Sequence, residues 1–193
     1  MHVIARVLAV AYLGLALFGA LVYVQTTSNY VNVADVSLNM GSHLSVVGVQ
    51  LNWTGSVNDS AVVYVRFNVT NPGNIDILVM STDFVLHMDD PLDPRSVYDA
   101  DKLRATEIQP GGFNLGREQG VVVHPGQTRT LHMATTVESG TSRMDRLDRP
   151  DGNGLYHPLI WLPRIVYTFV DFDLTNVAYM VPFYESQGVR PTG

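Results

Sequence analysis

The pattern of apolar and polar residues separates an N-terminal anchor from the rest of the chain. Residues Val3 to Val24 form an apolar run whose only charged side chain is Arg6. At 1.5 Å per residue, a helix of this length crosses the hydrocarbon layer of a bilayer. A cleaved signal peptide would have a shorter apolar core and small residues at a cleavage site, which the polar stretch after Val24 lacks. The pattern therefore predicts an uncleaved transmembrane helix over residues 1–25.

Positive charge flanks only the N-terminal end of this anchor. The α-amino group, His2 and Arg6 lie there, whereas the next arginine or lysine after the helix is Arg66. The positive-inside rule then places the N-terminus in the cytoplasm. We expect a single-pass protein of the cell membrane, held in the bilayer by residues 3–24, with a linker at 26–30 and an extracytoplasmic C-terminal domain.

From residue 31 onward, the spacing of apolar residues becomes that of half-buried strands, beginning with Val31, Val33, Val36 and Leu38. The most regular strand, residues 61–70, places its apolar side chains on one face: Ala61, Val63, Val65, Phe67 and Val69. Residues 43–53 are expected to pair with it as a hairpin. Further strands are predicted at 75–88, at 121–124 and 128–137 as a second hairpin around Pro125-Gly126, and within 159–184.

Two polar segments interrupt the strands. Residues 89–120, rich in proline, glycine and acidic side chains, are predicted to be an insertion or long loop. Residues 139–154 could hold a short helix capped by Ser139 or Thr141. The whole pattern predicts an all-β fold over residues 31–189, a β-sandwich of seven or so strands, immunoglobulin-like in appearance, with a short helix. One transmembrane helix precedes it and a tail at 190–193 follows.

The strongest turn signal is Asn71-Pro72-Gly73-Asn74. Proline presets φ, and glycine and asparagine tolerate positive φ. If Gly73 supplies a positive φ between two core strands, Gly73→Val should destabilise the domain by about 1–3 kcal/mol. Gly112→Val, in the polar insertion, is expected to have less than half of that effect.

Residues 65–90, VRFNVTNPGNIDILVMSTDFVLHMDD, resemble late-embryogenesis-abundant proteins of the Water stress and Hypersensitive response (WHy) type. In that family a strand ends in an Asn-Pro-Asn-like turn, and this chain departs from the usual motif at Gly73. Similar features follow at Pro125-Gly126, at the strand 128–137 and at Val181-Pro182-Phe183 with Gly188. The resemblance covers roughly residues 31–189. It implies a seven-stranded β-sandwich with an N-terminal anchor, no established catalytic residues, and roles from stress protection to lipid handling.

Composition narrows the classes of function. The chain has 193 residues, no cysteine and a formal charge of −6, so it offers no thiolate chemistry and would repel nucleic acid. Neither a Gly-x-Ser-x-Gly elbow nor a His-Glu-x-x-His motif occurs. We therefore expect that the protein is not an enzyme and binds no cofactor. His124 and His132, predicted to flank one hairpin, could approach each other, but surface histidines are the simpler interpretation.

Two other sets of residues have the composition of known kinds of site. Asp145, Asp148, Asp151 and Asn153 are weak calcium candidates, because calcium needs several oxygen ligands from one tight loop. Their spacing is not that of an EF-hand and arginines alternate with them, so solvated loop residues are favoured and no metal is expected. Asn52 and Asn58 lie in Asn-x-Ser/Thr triplets, which a translocated domain could use as glycan acceptors.

These observations favour a non-enzymatic, membrane-anchored β-sandwich that acts as a binding or accessory module. Its expected partner is a membrane complex or another cell-surface component. The alternative is a lipid-binding or lipid-transfer module with an apolar groove formed by the strands near Trp161 to Phe183. The resemblance adds stress protection as a further alternative.

Overall fold

The computed structural model describes residues 2–88, 107–141, 144–147, 150–172 and 174–193. The helical elements are α1 (His2–Asn39), the 3-10 turn η1 (Met40–His43) and α2 (Met144–Leu147). The strands are β1 (Leu44–Asn52), β2 (Ala61–Thr70), β3 (Ile77–Met88), β4 (Glu107–Asn114), β5 (Val121–Val123), β6 (Thr128–Val137), β7 (Pro158–Phe169), β8 (Thr175–Tyr179) and β9 (Phe183–Tyr184).

The strands form two antiparallel sheets around one apolar core, so the predicted all-β sandwich with an N-terminal apolar helix is confirmed. The first sheet has the order β1-β2-β6, and the second has the order β4-β3-β7-β8, with β5 paired to β3 and β9 paired to β7. The largest fully buried side chains come from both sheets, among them Phe67, Phe84, Tyr167 and Phe169. The core therefore lies between the two sheets, as in a sandwich.

The hairpin of β1 and β2 is confirmed. Its register runs from Leu44 opposite Val69 to Asn52 opposite Val62, with a bulge between Val46 and Gly48. The five residues predicted to share the apolar face of β2 are all fully buried. A strict two-residue period over ten residues is enough to assign this strand and its inner face.

The second predicted hairpin is wrong. β5 pairs with β3 in one sheet, whereas β6 pairs with β2 in the other. The connection at residues 124–127 thus crosses between the sheets, and Gly126 N donates to the Asn71 carbonyl there. Two strands joined by Pro-Gly resemble a hairpin in sequence, because the pattern marks the strands but not the sheet that each one joins.

The N-terminal helix is longer than the predicted anchor, and neither a linker at 26–30 nor a strand beginning at residue 31 is present. α1 continues to Asn39, where the Asn39 amide donates to Asp35. Val33, Val36 and Met40 follow the helical spacing i, i+3, i+7 and are buried in the sandwich core. From Arg6 to Ser28 every residue is exposed, and this part of the helix is long and apolar enough to cross a membrane.

The predicted loop at 89–120 contains a strand in its described part. Residues 89–106 lie outside the described residues, whereas Glu107–Asn114 form β4 and pair with β3. The short helix predicted within 139–154 is present as α2, and Met144 N donates to the Thr141 carbonyl before it. The C-terminal residues bind to the sandwich, with Pro191 bridged to Leu51.

Candidate functional site

The turn Asn71-Pro72-Gly73-Asn74 is a structural site that joins β2 to β3. Asn71 is fully buried; its amide nitrogen donates to the carbonyls of Ile75 (2.8 Å) and Val123 (2.9 Å), and its amide oxygen accepts from Gly73 N. This one side chain therefore ties the β2–β3 connection to the end of β5.

The expectation of a positive φ at Gly73 is wrong, since Gly73 is absent from the residues with positive φ. Space explains the glycine instead. A Cβ at Gly73 would lie 2.8 Å from Val36 Cγ2 and 2.9 Å from Asn32 Oδ1, both on α1. Asn74 N also donates to Asn32 Oδ1 at 3.1 Å. The turn is thus the surface on which the C-terminal part of α1 docks.

The weak calcium candidates do not form a metal site in the part of the chain that is described. Asp148 and the side chain of Asp145 lie outside it, and no group of three potential metal ligands occurs among the described residues. Asp151 Oδ1 accepts from the backbone of Asn153 and Leu155, and Oδ2 is 3.2 Å from His157 Nε2. The hydrogen bond from Leu155, followed by that from His157, lowers the pKa of Asp151 to about 2. This carboxylate organises its own loop.

His124 and His132 are not brought together. His124 Nδ1 is 3.0 Å from Asp76 Oδ1, whereas His132 is exposed on β6 opposite Arg66. Asn52 and Asn58, the possible glycan acceptors, are both exposed near the connection between β1 and β2.

The outer side of the second sheet carries an exposed apolar surface, here called the β8 face and defined by Leu162, Val177, Tyr179 and Val181. Their exposed fractions are 51, 49, 54 and 79%. In the register, Val177 lies opposite Val166 and Tyr179 opposite Arg164. Met180 N donates to the Pro163 carbonyl, which continues the pairing toward Leu162 and Val181. Contiguous apolar residues on an outer surface indicate an interaction site.

A polar row crosses the β8 face. Arg164 Nε donates to Asp83 Oδ1 at 2.6 Å. The hydrogen bond to Asp83, and then the one to Tyr179, raises the pKa of Arg164 above its usual range, so the guanidinium stays charged. Tyrosine and arginine beside aliphatic side chains are the residue types that dominate binding energy at protein interfaces.

Leu162 has an unusual backbone conformation for its residue type. Its φ is +48°, and it is the one non-glycine residue with positive φ in the described ranges. It follows Trp161 in β7, where the register with β3 shifts between Asp83 and Val85. Left-handed backbone in a leucine is strained, and such strain is concentrated at functional sites. Here it presents an apolar side chain to solvent.

The β8 face begins next to α1. The Tyr30 ring of α1 packs edge-to-face on Phe172, in the connection between β7 and β8, at 5.5 Å between ring centroids. At the other end of β8, a Cβ on Gly41 of η1 would be 2.9 Å from the Tyr179 carbonyl oxygen. The strand therefore lies alongside the last turns of the helix.

Two cavities lie at the other end of the second sheet, between β4 and β6. One of about 500 Å³ is lined by residues of β3, β4 and β6, including Asp83, Gly112 and Thr136. A more apolar one of about 380 Å³ is lined by Phe113, Leu115, Val121, Thr130, Leu131 and His132. Neither cavity coincides with the groove expected near Trp161 to Phe183.

The sequence pattern predicts strands within 159–184 but does not reveal this exposed surface. The missed signal is the alternation at the end of the chain, where Ala178 and Met180 are buried and Val177, Tyr179 and Val181 are exposed. Both sets are apolar, so the alternation carries no contrast between apolar and polar residues and does not show which set faces outward.

Comparison with known proteins identifies no family. No family model matches the chain, and no curated protein matches it. Among solved structures, a structural genomics target is similar with 10% identity and a TM-score of 0.46, over 79% of this chain and 89% of that one. A putative ApaA protein from Bordetella pertussis is similar with 10% identity and a TM-score of 0.42, over 78% and 95%. A protein from Archaeoglobus fulgidus is similar with 12% identity and a TM-score of 0.38, over 72% and 95%.

Proposed function

We propose that this protein is a membrane-anchored, extracytoplasmic binding module that associates with another membrane protein through the β8 face. The observation that carries the proposal is the exposed apolar β8 face, which lies beside the helix that leaves the membrane. α1 crosses the bilayer once in this proposal, with its N-terminus in the cytoplasm.

The docking of α1 supports a partner in the same membrane. Only about six residues, or about 9 Å of helix, separate the end of the apolar run at Val24 from Tyr30, which already contacts the domain. The helix is continuous through this interval. Because no flexible linker intervenes, the β8 face is held at a short, fixed distance from the bilayer. A membrane protein beside the anchor could contact both surfaces at little loss of conformational entropy.

The composition of the β8 face supports a protein partner. Beside its aliphatic side chains, this face holds the Asp83–Arg164 ion pair and the Tyr179 side chain, and arginine and tyrosine are enriched at protein–protein interfaces. Charged groups that are already paired can be buried in an interface at a smaller desolvation penalty than unpaired ones. The resemblance to WHy proteins stays a prediction, and stress protection and lipid transfer remain alternatives to this proposal.

The proposal can be tested by affinity purification of the full-length chain from native membranes in a mild detergent. Val177→Asp places a charge in the β8 face, and Val57→Asp is the matched control, because Val57 is 40% exposed in the connection between β1 and β2. We expect the amount of each membrane protein that co-purifies with the wild type to fall about tenfold with Val177→Asp. This corresponds to a loss of about 1.4 kcal/mol in binding free energy. Val57→Asp should retain them.

Two results would contradict the proposal. One is an identical set of co-purifying membrane proteins for the wild type and Val177→Asp. The other is protection of a C-terminal tag from protease added outside intact cells, which would place the domain in the cytoplasm. Far-UV circular dichroism of both variants shows whether each retains its β structure.

A further inference from the structure

Two contacts with β8 and its neighbouring connection show which end of the sandwich is nearer the apolar run of α1. Tyr30 of α1 packs on Phe172, in the connection between β7 and β8, at 5.5 Å between ring centroids. Farther along the chain, an added Cβ at Gly41 of η1 would be 2.9 Å from the Tyr179 carbonyl oxygen. The chain from Tyr30 to Gly41 spans about 16 Å at a helical rise of about 1.5 Å per residue. The connection between β7 and β8 therefore lies at the end of the domain closest to the apolar run.

This connection exposes two aliphatic side chains. Val170 and Leu174 are each 46% exposed, and Phe172 is half-buried against the Tyr30 ring. The Tyr30 side chain is itself exposed. Tyrosine is enriched where a membrane meets water, and exposed aliphatic side chains gain free energy when they leave water. The composition of the connection therefore fits a contact with the membrane interface.

Hydrogen bonds hold the connection in one conformation. The hydroxyl of Thr168, a buried residue at the end of β7, is 3.1 Å from the Phe172 carbonyl oxygen and 2.9 Å from the Leu174 carbonyl oxygen. At the other end of the connection, Val170 N donates to the Asp76 carbonyl at 2.9 Å. Because the backbone is already ordered, burying Val170 and Leu174 costs little conformational entropy.

The length of the helix brings this connection close to the lipid headgroups. Tyr30 lies about six residues beyond Val24, the end of the apolar run, which is about 9 Å along the helix. The headgroup layer outside the hydrocarbon is about 5–8 Å thick on each side of a bilayer. The remaining gap of about 1–4 Å is one that a leucine side chain or an ordinary tilt of the helix closes. The bilayer is thus a surface within reach of Val170 and Leu174.

Charge indicates the kind of lipid surface. The connection contains Asp171 and Asp173 and no basic residue, and Asp171 is exposed beside Val170. Anionic headgroups attract basic segments and repel acidic ones. A surface of zwitterionic headgroups accepts the two aliphatic side chains without this repulsion.

We propose that the connection between β7 and β8 rests in the zwitterionic headgroup layer of the membrane that α1 spans, with Val170 and Leu174 at the boundary of the acyl chains. This inference rests on the proposed function in one respect, that α1 crosses the bilayer, and it requires no protein partner. Helix and connection then attach the domain to the membrane at two points. Because β8 runs alongside the end of the helix, this attachment directs the β8 face sideways along the membrane, toward neighbouring membrane proteins.

The test uses the full-length chain in phosphatidylcholine nanodiscs that hold one copy each and no other protein. The chain has no cysteine, so a single substitution gives one site for a nitroxide label. Val170→Cys and Leu174→Cys place the label in the connection. Val57→Cys is the matched control, because Val57 is also partly exposed but lies at the opposite end of the sandwich, between β1 and β2. Leu15→Cys, in the middle of the apolar run, reports on the hydrocarbon layer.

Electron paramagnetic resonance measures how often each label collides with a water-soluble nickel complex and with oxygen, which concentrates in lipid. We expect labels at Val170 and Leu174 to be at least about threefold less accessible to nickel than the label at Val57, and more accessible to oxygen. Discs of phosphatidylglycerol should reduce this protection, and unchanged protection there would overturn the assignment to zwitterionic lipid.

The outcomes separate this inference from the proposed function. Nickel accessibility at Val170 and Leu174 equal to that at Val57, with the Leu15 label in the hydrocarbon, would overturn the lipid contact and leave the protein partner of the β8 face in place. Low accessibility to both nickel and oxygen would mean that the labels are buried in protein, which also overturns the lipid contact. A Leu15 label in water would overturn both proposals.

Discussion

Gly112 lies in β4 with a φ of +135°, and a Cβ at this position would overlap the carbonyl oxygen of Thr82. Gly73 does not have a positive φ, and a Cβ there would not collide with backbone. It would instead meet side-chain atoms of Val36 and Asn32. A collision with backbone is harder to relieve than one with side chains. We therefore expect Gly112→Val to destabilise the domain by about 3 kcal/mol or more and Gly73→Val by about 1–2 kcal/mol.

The sequence predicts the reverse order, with Gly73→Val more destabilising than Gly112→Val. Urea denaturation of residues 26–193 would measure both variants against the wild type. A larger effect at Gly73 would mean that the turn, rather than the approach of β4 to β3, is the more constrained position. From sequence, Gly112 was placed in a polar loop, because a strand containing Pro-Gly-Gly does not have the usual composition of a strand.

Asn71 offers a second prediction at the scale of one residue. Its side chain satisfies three backbone groups, the carbonyls of Ile75 and Val123 and the N–H of Gly73, in a fully buried position. Asn71→Ala leaves these groups without partners, so we expect a loss of about 3 kcal/mol in unfolding free energy. Asn74→Ala, at an exposed position three residues later, should change it by less than about 0.5 kcal/mol. Similar values for the two variants would show that water replaces the Asn71 amide.

Asp151 predicts a dependence on pH. Its pKa is lowered from 3.8 to about 2 by hydrogen bonds from Leu155 and His157. A carboxylate with a lowered folded-state pKa stabilises the protein above pH 4, and that contribution is lost as the pH falls toward 2. The melting temperature of the wild type should therefore be higher than that of Asp151→Asn at pH 5 to 6, and the two melting temperatures should converge near pH 2. A gap that is constant with pH would exclude a role for the charge.

At the scale of an element, the end of α1 is the main departure from the sequence prediction. Residues 26–33 are rich in threonine, asparagine and valine, which have low helix propensity, and Val31 and Val33 alternate as in a strand. The stripe of Val33, Val36 and Met40 carries the opposite signal. Tertiary packing decides between them, because Val36 and Met40 are almost fully buried in the sandwich.

Val36 and Leu38 test the docking of this helix. Val36 is 1% exposed and Leu38 is 84% exposed, two residues apart on the same helix. Val36→Asp buries a charge against the Gly73 turn and should lower the unfolding free energy by about 2–4 kcal/mol. Leu38→Asp should change it by less than about 0.5 kcal/mol. Chemical denaturation of residues 26–193 would measure both, and equal effects would show that the helix is not docked as described.

For the whole molecule, sequence patterns predicted the sandwich but not the way its strands divide between the two sheets. β2 was assigned to the residue because its inner and outer faces differ in polarity. The sequence did not predict which strands share a sheet. Even the nearest paired residues of β2 and β6, Thr70 and Thr128, are 58 positions apart in the chain, and local patterns carry no information on such contacts. The β8 face was missed because its exposed residues are as apolar as its buried ones.

The extent of the folding unit gives the last prediction. Residues 26–193 retain Val33, Val36 and Met40, which close the core between β1 and β8 through η1, whereas residues 44–193 lack all three. We expect the longer chain to be soluble and folded, with far-UV circular dichroism dominated by β structure. The loss of three buried apolar side chains, at about 1.5–3 kcal/mol each, approaches the whole stability of a typical domain.

The shorter chain should therefore aggregate or melt without a cooperative transition, as judged by size-exclusion chromatography and thermal circular dichroism. A chain of residues 26–193 carrying Leu38→Asp controls for changes on the exposed side of the helix. If residues 44–193 instead melted cooperatively at the same temperature as residues 26–193, the helix would be a tether and not part of the domain. The β8 face would then have no fixed height above the bilayer, and nothing in the geometry would favour a partner in the same membrane.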